Sequence, residues 1–431
     1  MEQEGPHRKT DAKSQSGGIL RTVKFHTSFV PGSLVHRALS QREGWMETED
    51  ASEAELLWVE RDAANEVLDA TQQFCSKQRI NHFRNDRELC RKDLLVKNLK
   101  RRKRQLERES SQAPESDTAD CYDFWPETYV LPSDYDLFVQ AYKTAPDSVW
   151  VAKPINGSQG RGIFLFSKLS QISRWRNDGI KREDGPETYV VQHYINKPYL
   201  IAGRKFDIRL YALATSFQPL TAYIHRGGFC RFSAVRYQQA TAATPDAAME
   251  RHLTNVAIQR RGEGYDRTFS GKWDVRSLKL HLVTALGAAA AEALFQRVER
   301  LVASSLRAVR DVMITDRRCF ELYGYDVLID ADLKPWLLEV NASPALSATT
   351  RADHVFKTKL LSDALDVVDV EGRRGGVAPV ARMGGFELMC LGGEVAQPKD
   401  GSAYRSIVGT DMEYAASERY EASHVIGSRA E

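Results

Sequence analysis

Three oxygen-bearing side chains lie in two mostly apolar segments near the end of the sequence. Asp326 interrupts ELYGYDVLI, and Glu339 and Asn341 interrupt PWLLEVN, with the polar stretch DADLK between the two segments. This pattern predicts a β-hairpin in which Glu339 and Asn341 share one face, because they are two residues apart. A four-residue turn places Asp326 opposite Glu339. A two-residue turn places it opposite Leu337, still on that face.

A cluster of two carboxylates and one amide on a mostly apolar hairpin needs a counter-charge. Mg²⁺ is the natural one, because it prefers oxygen ligands and shares them with substrate phosphates. The sequence therefore predicts a Mg²⁺ site on this hairpin. The alternative is a solvated hairpin face that binds nothing.

A lysine and a glycine-containing loop form a second group with possible chemistry. The predicted strand VWVAK ends at Lys153, and the loop NGSQGRG that follows contains Gly160 and Gly162. Backbone N–H groups in such a loop can close over phosphates. The loop is neither a P-loop, since GK[ST] is missing, nor a dinucleotide fingerprint, since a strand rather than a helix follows. A Gly-x-Gly hairpin without any ligand is the alternative, and the nearby lysine favours the phosphate site.

Two further segments predict strands that carry polar side chains. In KFDIRLYALAT, Lys205, Asp207 and Arg209 point to one face and the apolar residues between them point to the other. Such a strand is either exposed, with Asp207 pairing with its two neighbours, or it lines a site. In YVVQHYI, Gln192 is either satisfied within the core or marks an edge that meets a ligand.

The composition argues against several classes of protein. The formal net charge of +2 over 431 residues gives no whole-molecule attraction for nucleic acid, so we expect no nucleic-acid partner. The 6 cysteines are scattered without a CxxC pair, which argues against a zinc site and for a reducing compartment. The N-terminal stretch lacks an apolar core and no run of about 18 apolar residues occurs, so we expect neither a secretory signal nor a membrane span. Cytoplasm is the expected location.

The order of predicted elements divides the chain into parts. We expect a mixed α/β protein with a disordered start, three α/β parts and a mostly disordered tail. The predicted parts are 1–17 (disordered), 18–120 (N-terminal α/β part with a basic helix), 121–198 (central part), 199–370 (C-terminal part with the Mg²⁺ site) and 371–431 (tail). Within the tail, Phe386 and Leu388 belong to an apolar patch, FELMCL, through which it would dock.

Three helices are predicted from their apolar spacing. The first, over 87–108, is crowded with Lys and Arg, which indicates either a solvated face or a patch for an acidic partner. The second covers 288–313 and presents an apolar stripe to the core. The third covers 356–368 and closes the fold.

Five segments, taken in order, resemble the tubulin–tyrosine-ligase-like family of ATP-grasp ligases. They are NHFRNDRELCRKDLLVKNLKR, VWVAKPINGSQGRGIFLF, GRKFDIRLYALAT, HLTNVAIQ and CFELYGYDVLIDADLKPWLLEVNASP, and the resemblance extends from about Gly18 to Phe386. Within the polyglutamylase branch, FELYGYDVLIDADLKPWLLEVNASPALSA and MGGFELM look most like the ninth-member subgroup. The resemblance implies an ATP-grasp fold of three α/β parts, in which ATP lies between two antiparallel sheets.

The resemblance also implies roles for residues at the matching positions. ATP would be bound by Lys92, Lys153, Gln159, Gly160, Arg161, Gly162, Gln192, His193, Tyr194, Ile195, Asp207, Thr254 and Asn255. Mg²⁺ would be held by Asp326, Glu339 and Asn341. The amino-acid substrate and the charge that develops in the reaction would be faced by Lys205, Arg209 and Arg226. For Thr254 and Asn255, a simple helix N-cap is the alternative.

The activity implied by the resemblance is the addition of glutamate to γ-carboxylates in the acidic tails of tubulin, through an acyl phosphate made from ATP. The basic helix would attract the tail. Family members that modify microtubules alone carry a long basic extension after the core, and this tail is neither long nor strongly basic, which predicts accessory subunits. The expected location is the cytoskeleton, at the axoneme or basal body of a cilium or flagellum.

Two other functions remain open from the sequence. A tubulin glycylase would use the same core motifs, and the amino acid added to tubulin distinguishes it from a polyglutamylase. A non-catalytic axonemal or basal-body protein would only bind tubulin. The presence of Lys153, Asp326, Glu339 and Asn341 argues against this last function, because a degenerate site would be expected to lose at least one of them.

Overall fold

The computed structural model describes residues 21–70, 77–112, 122–157, 160–172, 187–241, 249–259, 271–348, 350–375, 379–392, 394–395 and 406–410. Within them the protein is mixed α/β with three β-sheets, of four, ten and four strands. The segment predicted to be disordered at 1–17 lies outside the described residues, as does the end of the tail after Thr410. No helix in the described ranges is long and apolar enough to cross a membrane.

The N-terminal sheet is parallel and has the strand order β2-β1-β3-β4. Its strands are β1 (Val23–Thr27), β2 (Trp45–Glu47), β3 (Leu56–Trp58) and β4 (Arg79–Ile80). The helices between them are α1 (Leu34–Ser40) and α2 (Arg61–Ala70). Ser33 starts α1, because its hydroxyl accepts a hydrogen bond from the N–H of His36 at 3.2 Å.

The predicted basic helix is two helices in the structure. α3 (Arg87–Cys90) and α4 (Lys92–Gln112) are separated by Arg91, which has an extended backbone with ψ of 125°. The apolar spacing continues across this break and therefore concealed it. Two of the basic side chains tie elements together, since Lys100 Nζ donates to Thr128 O at 2.6 Å and Arg101 Nη2 donates to Ala308 O at 3.0 Å.

The central sheet is antiparallel and has the order β5-β8-β6-β7. Its strands are β5 (Thr128–Leu131), β6 (Trp150–Pro154), β7 (Phe164–Phe166) and β8 (Tyr189–His193), and α5 (Tyr135–Thr144) packs on it. Phe138 of α5 meets Trp150 edge to face, with 5.1 Å between the ring centroids. This contact holds the helix on the face of the sheet.

The large sheet is organised around the long strand β10 (Arg204–Phe217). β10 pairs with β9 (Leu200–Ile201), β11 (Leu220–His225), β12 (Phe229–Phe232) and β14 (Glu321–Ile329). The remaining strands extend the sheet and are β13 (Lys272–Asp274), β15 (Pro335–Ala342), β16 (Arg382–Met383), β17 (Phe386–Leu391) and β18 (Glu394–Val395). All the pairings within this sheet are antiparallel.

The two faces of β10 belong to different cores. Ile208, Leu210 and Ala212 share one buried cluster with residues of α7 (Val275–Leu286) and α8 (Ala288–Val309). The alternate residues Tyr211 and Leu213 share another with the N-terminal sheet, α1 and α9 (Arg351–Val368). A short helix, α6 (Val256–Gln259), lies at the edge of the cavity described below.

Several predicted boundaries differ from the structure. α8 ends at Val309, four residues before the predicted end. α9 begins at Arg351 because Thr350 caps it, accepting a hydrogen bond from the N–H of Asp353 at 3.1 Å. The tail was expected to be mostly disordered, but β17 pairs with β11 and Phe386 is fully buried. The predicted docking through Phe386 is therefore a regular strand pairing.

Candidate active site

The hairpin formed by β14 and β15 has the predicted pairing of Asp326 with Glu339. The structure reaches this pairing through a β-bulge. The last pair at the turn is Ile329 with Pro335, and Val327 pairs with Leu337, so Leu338 is an extra residue in β15. If Leu338 instead paired regularly with Asp326, Glu339 would point to the opposite face.

Asp326 is buried, at 2% exposure, and two arginines neutralise it. Arg209 donates to both carboxylate oxygens, with Nη2 3.0 Å from Oδ2, and Arg231 Nη2 lies 2.8 Å from Oδ2. Burial alone would raise the pKa of Asp326, but the charges of Arg209 and Arg231 hold it well below its usual range. The carboxylate is therefore ionised.

Arg231 also pairs with Asp207, which it faces directly across β12 and β10. Asp207 therefore pairs with the next strand and not with its sequence neighbours, as the exposed-strand alternative required. Arg231 was absent from the sequence-based predictions. The segment FCRF contains the signal, because Cys230 and Phe232 face the α7–α8 core and alternation puts Arg231 on the other face.

The other two predicted metal ligands lie beside Asp326. Asn341 Nδ2 is 3.5 Å from Asp326 Oδ2, and Glu339 Oε2 is 3.5 Å from the Nζ of Lys92. The break before α4 directs Lys92 to this point, where its Nζ also donates to Gly157 O at 3.1 Å. Two carboxylates and an amide on one face of this hairpin are a donor set that fits Mg²⁺.

The site opens into a cavity between the central sheet and the large sheet. Most of the predicted ATP-binding residues line it. They are Lys92, Lys153, Gly160, Gln192, His193, Tyr194, Ile195, Asp207, Thr254 and Asn255, together with Lys205, Asp326 and Glu339. His252 and Leu253 line it as well, and the sequence did not single them out.

Some predicted residues are not among those that line the cavity. Arg161 and Gly162 follow the lining residue Gly160 and are exposed, and Arg209 and Asn341 reach the cavity only through Asp326. Gln159 lies outside the described residues.

Lys205 is buried and Lys153 is half-buried in the cavity wall. Lys153 Nζ donates to Gln192 Oε1 at 2.8 Å, and Lys205 Nζ donates to the hydroxyl of Tyr194 at 3.0 Å. Burial lowers the pKa of Lys153 to about 8, and burial together with the charge of Lys153 lowers the pKa of Lys205 to about 7. Among the described residues, no carboxylate is within ion-pair distance of either ammonium group. Their environment therefore favours an anionic ligand.

The glycine loop closes one side of the cavity. Gly160 has φ of +76°, and a Cβ there would lie 2.4 Å from Ile258 Cδ1 and 3.3 Å from Asn255 Oδ1. Only glycine permits this approach of the loop to the start of α6. Asn255 O in turn accepts the backbone N–H groups of Ile258 and Gln259, so the helix-start alternative for Asn255 also holds.

Arg226 was predicted to face the substrate, but the structure places it elsewhere. It donates to Glu387 Oε2 at 2.5 Å and to Thr410 Oγ1 at 2.6 Å. Ile224 pairs with Ala212 and faces the α7–α8 core, and alternation carries Arg226 to that same side of the sheet. Arg209 lies on the opposite face. The second arginine of the site is therefore Arg231.

A second group of possible metal ligands has an explanation without an ion. His82, Asp86 and Glu321 are close enough to hold a metal and all three are buried. Glu321, however, accepts hydrogen bonds from His82 Nδ1 at 2.9 Å and from the N–H of Phe83 at 3.2 Å. Asp86 is neutralised by Arg61, with 2.6 Å between Nε and Oδ2. Each of the three residues therefore already has a protein partner without an ion.

Comparison with known proteins identifies the class of this molecule. The sequence pattern described as the Tubulin-tyrosine ligase family matches residues 70–374. The chain belongs to that family, as the sequence motifs predicted.

Individual relatives match over most of their length. The probable tubulin polyglutamylase TTLL9 of Bos taurus is 40% identical over 410 residues, which cover 88% of this chain and 86% of the relative. The probable tubulin polyglutamylase ttll-9 of Caenorhabditis elegans is 41% identical over 354 residues, covering 81% of each. The probable alpha-tubulin polyglutamylase Ttll1 of Tetrahymena thermophila is 42% identical over 298 residues, covering 68% of this chain and 72% of the relative.

Proposed function

We propose that this chain is a ligase that uses ATP to add glutamate to the γ-carboxylates of glutamates in tubulin C-terminal tails. The observation that carries the proposal is the pair of lysines in the cavity wall, which form no ion pair within the described part of the chain, next to two carboxylates and an amide. Membership of the tubulin-tyrosine ligase family and about 40% identity to relatives named tubulin polyglutamylases support the choice of tubulin and glutamate.

We assign the architecture to the ATP-grasp fold. The antiparallel central sheet and the antiparallel large sheet enclose the cavity, and ATP would lie between them. Gln192–Ile195 would contact the base, and Asp207, Thr254 and Asn255 the sugar and phosphates. The three α/β parts predicted from sequence would then each contribute one wall.

The chemistry requires activation of a carboxylate, because joining it to an amine in water is unfavourable. In the first step, a γ-carboxylate oxygen of the tail bonds to the γ-phosphorus of ATP, and ADP leaves. In the second, the amine of free glutamate bonds to the acyl carbon, inorganic phosphate leaves, and the amine loses a proton. Lys92, Lys153 and Lys205 would neutralise the phosphate oxygens, which is the main requirement of phosphoryl transfer.

Asp326, Glu339 and Asn341 would hold Mg²⁺, whose contribution when bound is to neutralise charge on the phosphates. Arg231 lines the cavity, and Arg209 lies behind it on the same carboxylate, Asp326. They are placed to bind the carboxylate groups of the substrates and the oxyanion of the tetrahedral intermediate. Arg231 takes the role that the sequence assigned to Arg226.

The proposal is tested by incubating the purified chain with tubulin, ATP–Mg²⁺ and labelled glutamate or glycine, with and without ciliary extract. We expect label from glutamate in the tubulin tails. Incorporation only with extract would indicate accessory subunits. Label from glycine alone would establish a glycylase, and no label under any condition would favour a protein that only binds tubulin.

The expected setting of the reaction follows from its substrate. Tubulin tails project from microtubules, so the cytoskeleton, and in particular the axoneme or basal body of a cilium or flagellum, is the location we propose. Imaging of the tagged chain in ciliated cells tests it. A signal separate from microtubules would contradict it.

A further inference from the structure

The segment Ser406–Thr410, SIVGT, lies in a groove on the face of the large sheet opposite the cavity. The groove is formed by α7, α8 and the residues that follow β11. Ile407 is 7% exposed and Val408 is fully buried, and both belong to the buried cluster that contains Leu278 and Leu282 of α7. These five residues are therefore part of the core although they follow a stretch rich in Gly and polar residues.

A buried glutamate accepts hydrogen bonds from the backbone of this segment. Glu299 of α8 is 2% exposed, and its Oε1 accepts the N–H groups of Ile407 at 2.5 Å and Val408 at 2.8 Å. A carboxylate that accepts two successive backbone N–H groups recognises the chain independently of its side chains. Burying such a charge is unfavourable unless it has these partners.

A lysine donates hydrogen bonds to the carbonyl groups of the same segment. Lys279 Nζ of α7 donates to Ser406 Oγ at 2.6 Å, to Ser406 O at 3.3 Å and to Val408 O at 3.2 Å. Glu292 of α8 holds the start of the segment, since its Oε2 accepts the hydroxyl of Ser406 at 2.9 Å. The backbone N–H groups of the segment are thus bound by a carboxylate, and its carbonyl groups by an ammonium group.

The far end of the segment meets Arg226. Its carbonyl oxygen accepts the N–H of Gly409 at 2.8 Å, and its Nη1 donates to Thr410 Oγ1 at 2.6 Å. Gly409 has φ of +77°, and a Cβ there would lie 3.0 Å from Lys279 Cδ and 3.2 Å from Val275 O. The groove therefore requires glycine at this position.

We propose that this groove is a peptide-binding site and that Ser406–Thr410 is its ligand, a clasp that fastens the C-terminal part of the chain to the catalytic sheet. The site selects two adjacent apolar β-branched residues followed by Gly and Thr. Since the segment is covalently attached, its effective concentration is on the order of millimolar, and it occupies the groove in the intact chain. A peptide of the same sequence binds when the attached copy is absent.

The test compares the full chain with one that ends at Thr410 and one that ends at Arg405. We expect the chain ending at Thr410 to keep the melting temperature of the full chain, and the chain ending at Arg405 to melt at least about 2 °C lower. A labelled peptide of residues 402–412 should bind the shorter chain, raise its melting temperature, and not bind the full chain. The matched control peptide carries Gly409→Val and should bind at least about tenfold more weakly.

A second measurement in the intact chain covers the case in which the shortened chain does not fold. Hydrogen exchange should show the amides of Ile407 and Val408 protected, and Glu299→Gln should speed their exchange at least about tenfold because it removes the charged acceptor. Asp311→Asn, at an exposed acid beyond α8, is the matched control and should leave them protected.

Three outcomes would overturn the proposal. They are equal melting temperatures for the two shortened chains, equal binding of the Gly409→Val peptide, and fast exchange at Ile407 and Val408 in the unaltered chain. None of these three measurements depends on ATP binding or on tubulin modification. The clasp can therefore fail or hold independently of the proposed ligase activity.

Discussion

Lys153 and Lys205 are the residues whose burial most constrains the chemistry. Their pKa values of about 8 and about 7 lie far below that of a lysine in water, because burial disfavours the charged form. An anionic ligand reverses this effect by supplying the missing counter-charge. The pair therefore links ligand binding to proton uptake.

We predict that ATP affinity falls as pH rises. Phosphates bind the protonated lysines, so above a pKa of about 7 for Lys205 and about 8 for Lys153 the protein must first take up a proton. Affinity should fall by up to about tenfold per lysine and pH unit above these values. Titration with a fluorescent ATP analogue between pH 6 and 9 measures this. Lys205→Arg should flatten the profile, and pH-independent binding by the unaltered protein would contradict the assignment.

Glu339→Gln should abolish turnover without loss of the fold. The change removes a ligand charge at nearly constant volume, and the side chain is 28% exposed, so the core is unaffected. We expect kcat to fall by at least about 100-fold and the melting temperature to stay within about 2 °C. Asp332→Asn in the exposed turn of the same hairpin is the matched control. Unchanged glutamylation by the Glu339 variant would remove Glu339 from the metal site.

Arg226 and Arg231 should respond differently to replacement by lysine. Arg231→Lys loses the fork that binds Asp207 and Asp326 together, and we expect a higher KM for glutamate and a lower kcat. Arg226→Lys should mainly weaken the contacts with Glu387 and Thr410 and lower the melting temperature. Steady-state kinetics and thermal unfolding of both variants separate these effects. A KM effect confined to the Arg226 variant would restore the sequence-based assignment.

At the scale of elements, the bulge in β15 lets Glu339 pair with Asp326 although Leu338 is an extra residue. Deletion of Leu338 should remove the bulge and leave the side chains of Glu339 and Asn341 on the cavity face, because all the other pairs of the hairpin then form one regular register. We therefore expect glutamylation to be retained. Loss of activity in the deletion variant, with an unchanged melting temperature, would show that the bulge itself is needed to position Glu339. Leu338→Ala keeps the residue count and is the matched control.

The alternation of side chains between the two faces of a strand was the feature of the fold best predicted from the sequence. It placed Lys205, Asp207 and Arg209 on one face, and the structure has them there. Arg231 could have been found in the same way from FCRF, but Arg226 follows the end of β11. Its face depends on how β11 pairs with β10 and with β17, and β17 is distant in sequence.

The break between α3 and α4 also escaped prediction. The apolar residues Leu89, Val96 and Leu99 keep a helical spacing across Arg91, so periodicity alone indicates one helix. The break is supported by tertiary contacts, including those of Asn98 Nδ2 with the carbonyl oxygen of Glu88 at 2.9 Å. Without it, Lys92 would not point into the cavity.

At the scale of the whole molecule, the C-terminal region contributes to the same sheet as the site. Its composition is Gly-rich and polar, which is typical of disorder, and that pattern concealed β17 and the clasp. Both depend on partners far away in sequence, β11 for the strand and Glu299 for the clasp. Local propensity contains no information on such partners.

The ion pairs around Asp326 have a consequence for how the protein meets its metal. Arg209 and Arg231 balance Asp326, and Lys92 lies beside Glu339, so the hairpin is electrically satisfied by the protein itself. Proteins that need a metal to fold lose their structure to chelators. Here we predict that EDTA leaves the melting temperature within about 2 °C and stops glutamylation, which excess Mg²⁺ restores. Unfolding by EDTA would contradict this.

Arg209 and Arg231 therefore balance the charge of Asp326 that a bound cation would otherwise balance. Asp326, Glu339 and Asn341 would hold Mg²⁺, which would balance the carboxylates in place of the guanidinium groups, and Arg209 and Arg231 would then be available to bind substrate carboxylates. Binding of substrate carboxylates by the two arginines would then depend on the metal, although folding of the protein would not.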